Sequence, residues 1–254
     1  MRWRGLLVSV RNVAEAQAAM AGGAAIIDVK DPAAGSLGAA SAPVVASIAA
    51  TVGDAAPCTV AAGELQDEMA DPGRTARWLE AISVLPAAVK LGLAGLADAD
   101  WRPVFEAVMR GLPAATARVA VAYADWQRAA APHPLEIVAA AAATGCSVLL
   151  VDTADKAGPP LLEACRADEL ASWIGAARIA GLRVAAAGRI GLDAIPLLQP
   201  LAVDVVALRS AVCSNGRTGT VDAALVRRAA DAVALLETFR RATARDPRAP
   251  LPRP

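Results

Sequence analysis

Three lysines stand apart in a chain that otherwise relies on arginine. Of its 25 basic residues, only Lys30, Lys90 and Lys156 are amines, and the remaining 22 are guanidinium groups. The composition is rich in alanine and arginine, so arginine serves wherever a surface cation suffices. A position that stays lysine is read as one that needs an amine. Lysine can be deprotonated at modest cost and can attack a carbonyl carbon, which arginine cannot do. Lys30 follows an apolar run, in the order Ile26-Ile27-Asp28-Val29-Lys30-Asp31-Pro32. Asp28 and Lys30 are two apart, so on a strand they point to the same side. Burying either charge is costly unless it is paired or used.

Gathered amines have a chemical use. Burial and neighbouring positive charge both favour the neutral, nucleophilic form. One lysine can then form a Schiff base while another moves protons. Asp28 and Asp152 are candidates for proton transfer or for holding the ammonium groups. The competing reading makes each lysine an ordinary ion-paired residue, Lys30 with Asp28 or Asp31 and Lys156 with Asp152 or Asp155.

The elements that must position these groups alternate along the chain. Strand-like runs cover Leu6 to Val10, Ala25 to Val29, Cys58 to Ala62, Ala88 to Leu93, Arg118 to Ala124, Ser147 to Asp152, Arg183 to Ala187 and Asp204 to Arg209. Their near-continuous apolar character predicts strands buried on both faces. Helix-like segments lie between them. The first is capped by Asn12, with Glu15 as a capping-box partner, and ends at Gly22-Gly23. Others run from Ala42 to Val52, Gly73 to Ser83, Trp101 to Gly111, Pro134 to Thr144, Arg166 to Ala180, Leu192 to Leu198 and Asp222 to Thr243. Eight strands alternating with helices in 254 residues predict an α/β protein, a single-domain (β/α)8 barrel over residues 1–245. The Pro- and Arg-rich segment 246–254 reads as a disordered tail. A doubly wound open sheet is the alternative, but a Gly-rich turn after the first strand is missing. In the barrel, the three lysines fall at the ends of even-numbered strands or just after them, at the mouth where barrel active sites sit.

Phosphate binding is expected after the seventh and eighth strands. Gly188, Arg189 and Gly191 lie in the first of those loops, and Arg209 and Ser210 open the second. The loop Gly35-Ser36-Leu37-Gly38 could cradle a second phosphate through Ser36. His133, the single histidine, lies between two prolines and is read as structural, so no Ser-His-Asp triad or His-rich metal site is expected. Glu64, Asp67 and Asp125 stay unassigned loop residues. Net charge is zero and no basic cluster appears, which argues against a nucleic-acid face. No apolar stretch reaches the length of a membrane span. Four scattered cysteines form no metal or disulfide pattern, and with no signal peptide a cytoplasmic protein is expected. Oligomeric state stays open, a homo-oligomer included.

Several stretches together carry a family resemblance. They are Leu7-Val8-Ser9-Val10-Arg11-Asn12, Asp28 to Pro32 with Gly35 to Gly38, Lys90-Leu91-Gly92-Leu93, Asp152-Thr153 with Lys156, and Arg209 to Cys213. On these the chain resembles the (5-formylfuran-3-yl)methyl phosphate synthase family. The resemblance implies a barrel enzyme that condenses two glyceraldehyde 3-phosphate molecules into a furan aldehyde phosphate, a precursor of methanofuran-type C1 carriers. It also implies Lys30 as the Schiff-base amine, with no metal or other cofactor required. Lys90 is then the expected general base, and Lys156, Asp28 and Asp152 assist proton transfer. A class I aldolase or isomerase of other sugar phosphates would use the same groups. A non-catalytic phosphometabolite-binding barrel would keep the phosphate loops without needing three amines.

Overall fold

The computed structural model describes residues 3–82 and 84–245. The expected tail, 246–254, lies outside the described residues. Eight parallel strands, β1 (Gly5–Val10), β2 (Ile26–Val29), β3 (Cys58–Glu64), β4 (Ala88–Gly92), β5 (Ala117–Tyr123), β6 (Val148–Asp152), β7 (Arg183–Ala186) and β8 (Val205–Leu208), pair in sequence order. The barrel closes where Gly5 to Val8 of β1 align with Val205 to Leu208 of β8. This is the expected single-domain (β/α)8 barrel.

The helices are α1 (Val13–Gly22), α2 (Ala42–Val52), α3 (Leu65–Ala70), α4 (Arg74–Glu80), α5 (Arg102–Gly111), α6 (Pro134–Ala143), α7 (Leu161–Ala164), α8 (Ala167–Ile179) and α9 (Ala223–Arg245). Two differences from the sequence reading are physical. Helix α3, which holds Asp67, spans six residues, too few to display a helical period that would set it apart from a loop. The segment from Leu192 to Leu198 forms only a 3-10 turn, Ile195–Leu198, with Pro196 inside it. No described helix is long and apolar enough to cross a membrane.

Alternation along each strand builds two apolar layers. Val8, Ile27, Val60, Val89, Leu91 and Val184 face outward to the helices. Leu7, Ile26, Ala61, Ala88, Val119, Val148, Leu150, Ala185 and Val205 fill the barrel interior. Small residues among the inward positions, such as Ala88, Ala185 and Ala207, leave a cavity that runs down from the mouth. Helix α9 covers the closing seam by packing on α1 and β1. Gly22 permits the close approach, since a Cβ there would fall on the Val226 side chain. Towards the C-terminal ends the inward residues turn polar: Ser9, Asp28, Lys30, Thr59, Lys90, Asp152 and Arg209.

Candidate active site at the barrel mouth

Asp28, on β2, is 1% exposed and engages side chains of three other strands. Its Oδ2 accepts from Ser9 Oγ of β1 at 2.9 Å, and Oδ1 accepts from Thr59 Oγ1 of β3 at 2.8 Å. Oδ1 also pairs with the Lys90 ammonium of β4. Across the barrel, Asp152 ends β6 and pairs with Lys156 Nζ at 2.7 Å, while accepting from the Thr153 amide at 2.8 Å. Burial opposes ionisation of Asp152, but Lys156 and Lys30 beside it hold its carboxyl below the usual carboxylate range.

Lys30 lies between these two ion pairs and joins neither. Its amine is buried, and its hydrogen bond goes to the backbone carbonyl of Ser36 at 3.3 Å. Burial lowers its pKa from the usual 10.5 to about 7; Lys156 and Lys90 push the same way, against the attraction of Asp152 and Asp28. The ion-paired reading therefore describes Lys90 and Lys156 but not Lys30. An amine that is half neutral near pH 7 is a competent nucleophile, whereas an ordinary surface lysine is almost wholly protonated there.

The loops that ring the mouth are tied to one another. Ser36 Oγ donates to the Thr153 carbonyl at 3.1 Å, joining the loop after β2 to the loop after β6. Gly188 packs on Thr153, where a Cβ would stand 3.0 Å from Thr153 Cγ2, and its φ of +98° needs glycine. Arg189 follows with a φ of 56°, a left-handed conformation that costs a non-glycine residue on the order of 1 kcal/mol. Its exposed guanidinium reaches the Gly158 carbonyl. Gly188, Arg189, Arg209, Ser210 and Arg217 all line the mouth, while Gly191 lies outside the lining.

Arg209 does not have the free guanidinium a phosphate ligand would need. It donates to Glu15 at 2.9 and 3.3 Å, to the Ser9 carbonyl at 2.9 Å and to the Arg217 carbonyl at 2.8 Å. Burial works against the Glu15 charge, but Arg209 and Arg11 hold its carboxyl below the usual range. The capping box expected at Asn12 is accordingly half formed. Asn12 accepts from the Glu15 amide, but the Glu15 carboxylate turns to Arg11 and Arg209. Arg217, farther along the loop that Arg209 opens, donates to the carbonyls of Pro32 and Gly35 and so closes over the Ser36 loop.

Sequence reasoning missed a carboxyl–phenol pair behind Ser36. Tyr123 Oη donates to Glu64 Oε1 at 2.6 Å. One signal was available: Tyr123 is the chain's single tyrosine, on the inward face of a strand that ends at the mouth. Asp125, also unassigned, accepts from the amides of Ala154 and Asp155 in the loop after β6. His133 caps α6 through Nδ1 and lies between Trp126 and Trp173, apart from the mouth.

Fold and site together define a (β/α)8-barrel enzyme with a buried amine of lowered pKa at the C-terminal mouth. Comparison with known proteins narrows this. The family model for 4-HFC-P synthase matches residues 6–230. The (5-formylfuran-3-yl)methyl phosphate synthase of Archaeoglobus fulgidus is 34% identical over 238 residues, covering 90% of this chain and 98% of that one. The protein of the same name from Methanothermobacter thermautotrophicus is 34% identical over 242 residues, covering 92% and 99%. This chain belongs to the (5-formylfuran-3-yl)methyl phosphate synthase family and is an enzyme of it. Among solved structures, 3-hexulose-6-phosphate synthase from Salmonella typhimurium is similar with a TM-score of 0.62, at 18% identity, covering 91% of this chain and 99% of that one. Thiamine phosphate pyrophosphorylase from Pyrococcus furiosus has a TM-score of 0.61 at 15% identity, covering 92% and 98%. These two likenesses concern the fold alone.

Proposed function

We propose that this enzyme condenses two molecules of glyceraldehyde 3-phosphate into (5-formylfuran-3-yl)methyl phosphate, with Lys30 as the Schiff-base amine. The observation that carries the reading is the state of Lys30: buried at the mouth, without a carboxylate of its own, and half neutral near pH 7. The family's name supplies the product, and the amine supplies a route to it.

The reaction balances without an oxidant or reductant. Two triose phosphates give the furan phosphate, one inorganic phosphate and two waters. The neutral Lys30 amine adds to a triose carbonyl, and water leaves as the iminium forms. The iminium draws electrons from the neighbouring carbon, so a base can remove its proton and leave an enamine. That carbon adds to the carbonyl of the second triose, forming the new C–C bond. Loss of phosphate, ring closure through a hydroxyl oxygen, loss of two waters and hydrolytic release of Lys30, which returns the water lost on iminium formation, complete the sequence. Lys90, held by Asp28, and Lys156, held by Asp152, flank Lys30 and serve as proton carriers. Arg189, Gly188 and Ser210, which line the mouth, would receive one phosphate, and the Ser36 loop under Arg217 the other, through its backbone, since the Ser36 hydroxyl is given to Thr153.

Purified protein supplied with glyceraldehyde 3-phosphate tests this directly. The reading expects a furan-aldehyde absorbance that grows in equal amount with inorganic phosphate, and that vanishes in Lys30→Arg. Aldol products without furan or phosphate would reassign the enzyme to ordinary class I aldol chemistry.

A further inference from the structure

The polar chain behind Ser36 has no part in the reaction as described, yet three strands cooperate to build it. At the end of β3 the register with β4 shifts between Ala61 and Glu64, with Gly63 at a φ of +95°. The shift turns Glu64 towards the barrel axis. Its Oε1 accepts from Tyr123 Oη at 2.6 Å and its Oε2 from the Ala94 amide at 3.0 Å. Gly92 of β4 leaves room for both, since a Cβ there would fall on Glu64 Oε2 and Tyr123 Oη. The phenol is fully buried, and its next polar neighbour is the Ser36 side chain. Ser36 in turn holds the Thr153 carbonyl through Oγ and the Lys30 amine through its own carbonyl.

We propose that Glu64 and Tyr123 are positioning residues for catalysis, fixing the Ser36 loop so that its carbonyl aims the Lys30 amine and its backbone keeps water from it. This role rests on Lys30 as the reacting amine. A buried phenol and carboxylate hydrogen-bonded to each other form a rigid anchor, and neither can be released without leaving an unsatisfied polar atom. Asp152 lies close enough to act electrostatically on both groups, so the pair also borders the second aspartate–lysine unit. Burial raises the Glu64 carboxyl above the usual range despite the bonds it accepts. A displaced Ser36 loop would let water reach Lys30 and return its amine towards ordinary lysine behaviour.

The test compares Tyr123→Phe, Glu64→Gln and the double variant with the parent in full-length protein. Two rates are read across pH: furan formation, and borohydride trapping of glyceraldehyde 3-phosphate on Lys30. Phenylalanine keeps the shape and removes the bond. Glutamine keeps the size but turns an N–H toward one of two donors. Both single variants should lower kcat and the trapping rate about tenfold, with KM within about twofold. The midpoint of the trapping profile should move up by about one pH unit. The double variant should be no worse than Tyr123→Phe, since the carboxylate acts through the phenol. Parent-like kcat and midpoint in both single variants would overturn the proposal, as would losses that follow only KM or the folded fraction. Absence of any Lys30 adduct in the parent would instead overturn the Schiff-base reading.

Discussion

Asp28 gives its carboxylate to Lys90 of β4 and not to Lys30, although Lys30 is two residues away on the same face of the chain. Strand geometry accounts for this. Residues i and i+2 lie side by side along one strand, whereas a long inward side chain from β4, two strands away, can reach the carboxylate across the barrel interior. Lys90 takes that place, and Ser9 and Thr59 occupy the remaining acceptor sites. Lys30 is thus left without a carboxylate partner by the pairing of the other two lysines.

Asp28 is then a stabilising residue as well as a site residue. Asp28→Ala leaves the buried Lys90 ammonium unpaired, which costs roughly 3–5 kcal/mol. Urea unfolding should show a fall of that size in the midpoint-derived stability, and Asp28→Ala/Lys90→Met should recover most of it. An additive double variant would contradict the pairing.

Lys30 should itself be a liability to folding. Its pKa is about 7 when folded and 10.5 when unfolded. Between these values the unfolded chain binds the additional proton, so this lysine makes stability rise with pH across that window. Below pH 7 both states are protonated and the full burial penalty applies. Lys30→Met removes the penalty and should raise stability at pH 6 by about 2 kcal/mol, with the advantage shrinking by pH 10. A methionine variant less stable than the parent at pH 6 would contradict a strained ammonium.

Catalysis should follow the neutral fraction of the same amine. Under conditions where imine formation limits, kcat/KM should rise with pH to a midpoint of about 7 and fall about tenfold per unit below it. Initial rates of furan formation in buffers of constant ionic strength check the slope. A limb near pH 10 would show Lys30 to be an ordinary lysine.

Two arginines near the mouth should separate by the kind of damage their loss causes. Arg189 is exposed and its loss should raise KM for the phosphorylated substrate about tenfold with little change in thermal midpoint. Arg209 is buried against Glu15, and Arg209→Ala should instead cost roughly 3–5 kcal/mol of stability. Parallel Michaelis–Menten and thermal-shift measurements distinguish the two. Equal KM effects with intact stability would restore Arg209 as a phosphate ligand.

The barrel was legible because its strands are buried on both faces, so runs such as Val148 to Asp152 read as strand over their whole length. The even-strand lysines were legible because lysine is rare in this chain. The Lys156–Asp152 pair, four positions apart, was legible as well, but the partner of Lys90 was not. Lys30 and Asp28 are neighbours in sequence, while the Asp28–Lys90 contact spans 62 positions and depends on barrel register. Arg209 misled for a related reason. Its loop position suggested phosphate, but its partner Glu15 is 194 residues away in α1. Glu64 and Tyr123 escaped because their meeting depends on a register shift in β3 that leaves no periodic signature.

On the proposed mechanism, Lys30 alone of the three amines carries the covalent step. Peptide mapping after borohydride reduction, with glyceraldehyde 3-phosphate present at about neutral pH, where the amine is half neutral, tests it most directly. One reduced triose adduct per chain on Lys30, absent in Lys30→Arg and retained in Lys156→Met, is the predicted result. An adduct on Lys90 or Lys156, or none on Lys30 while furan still forms, would contradict the account.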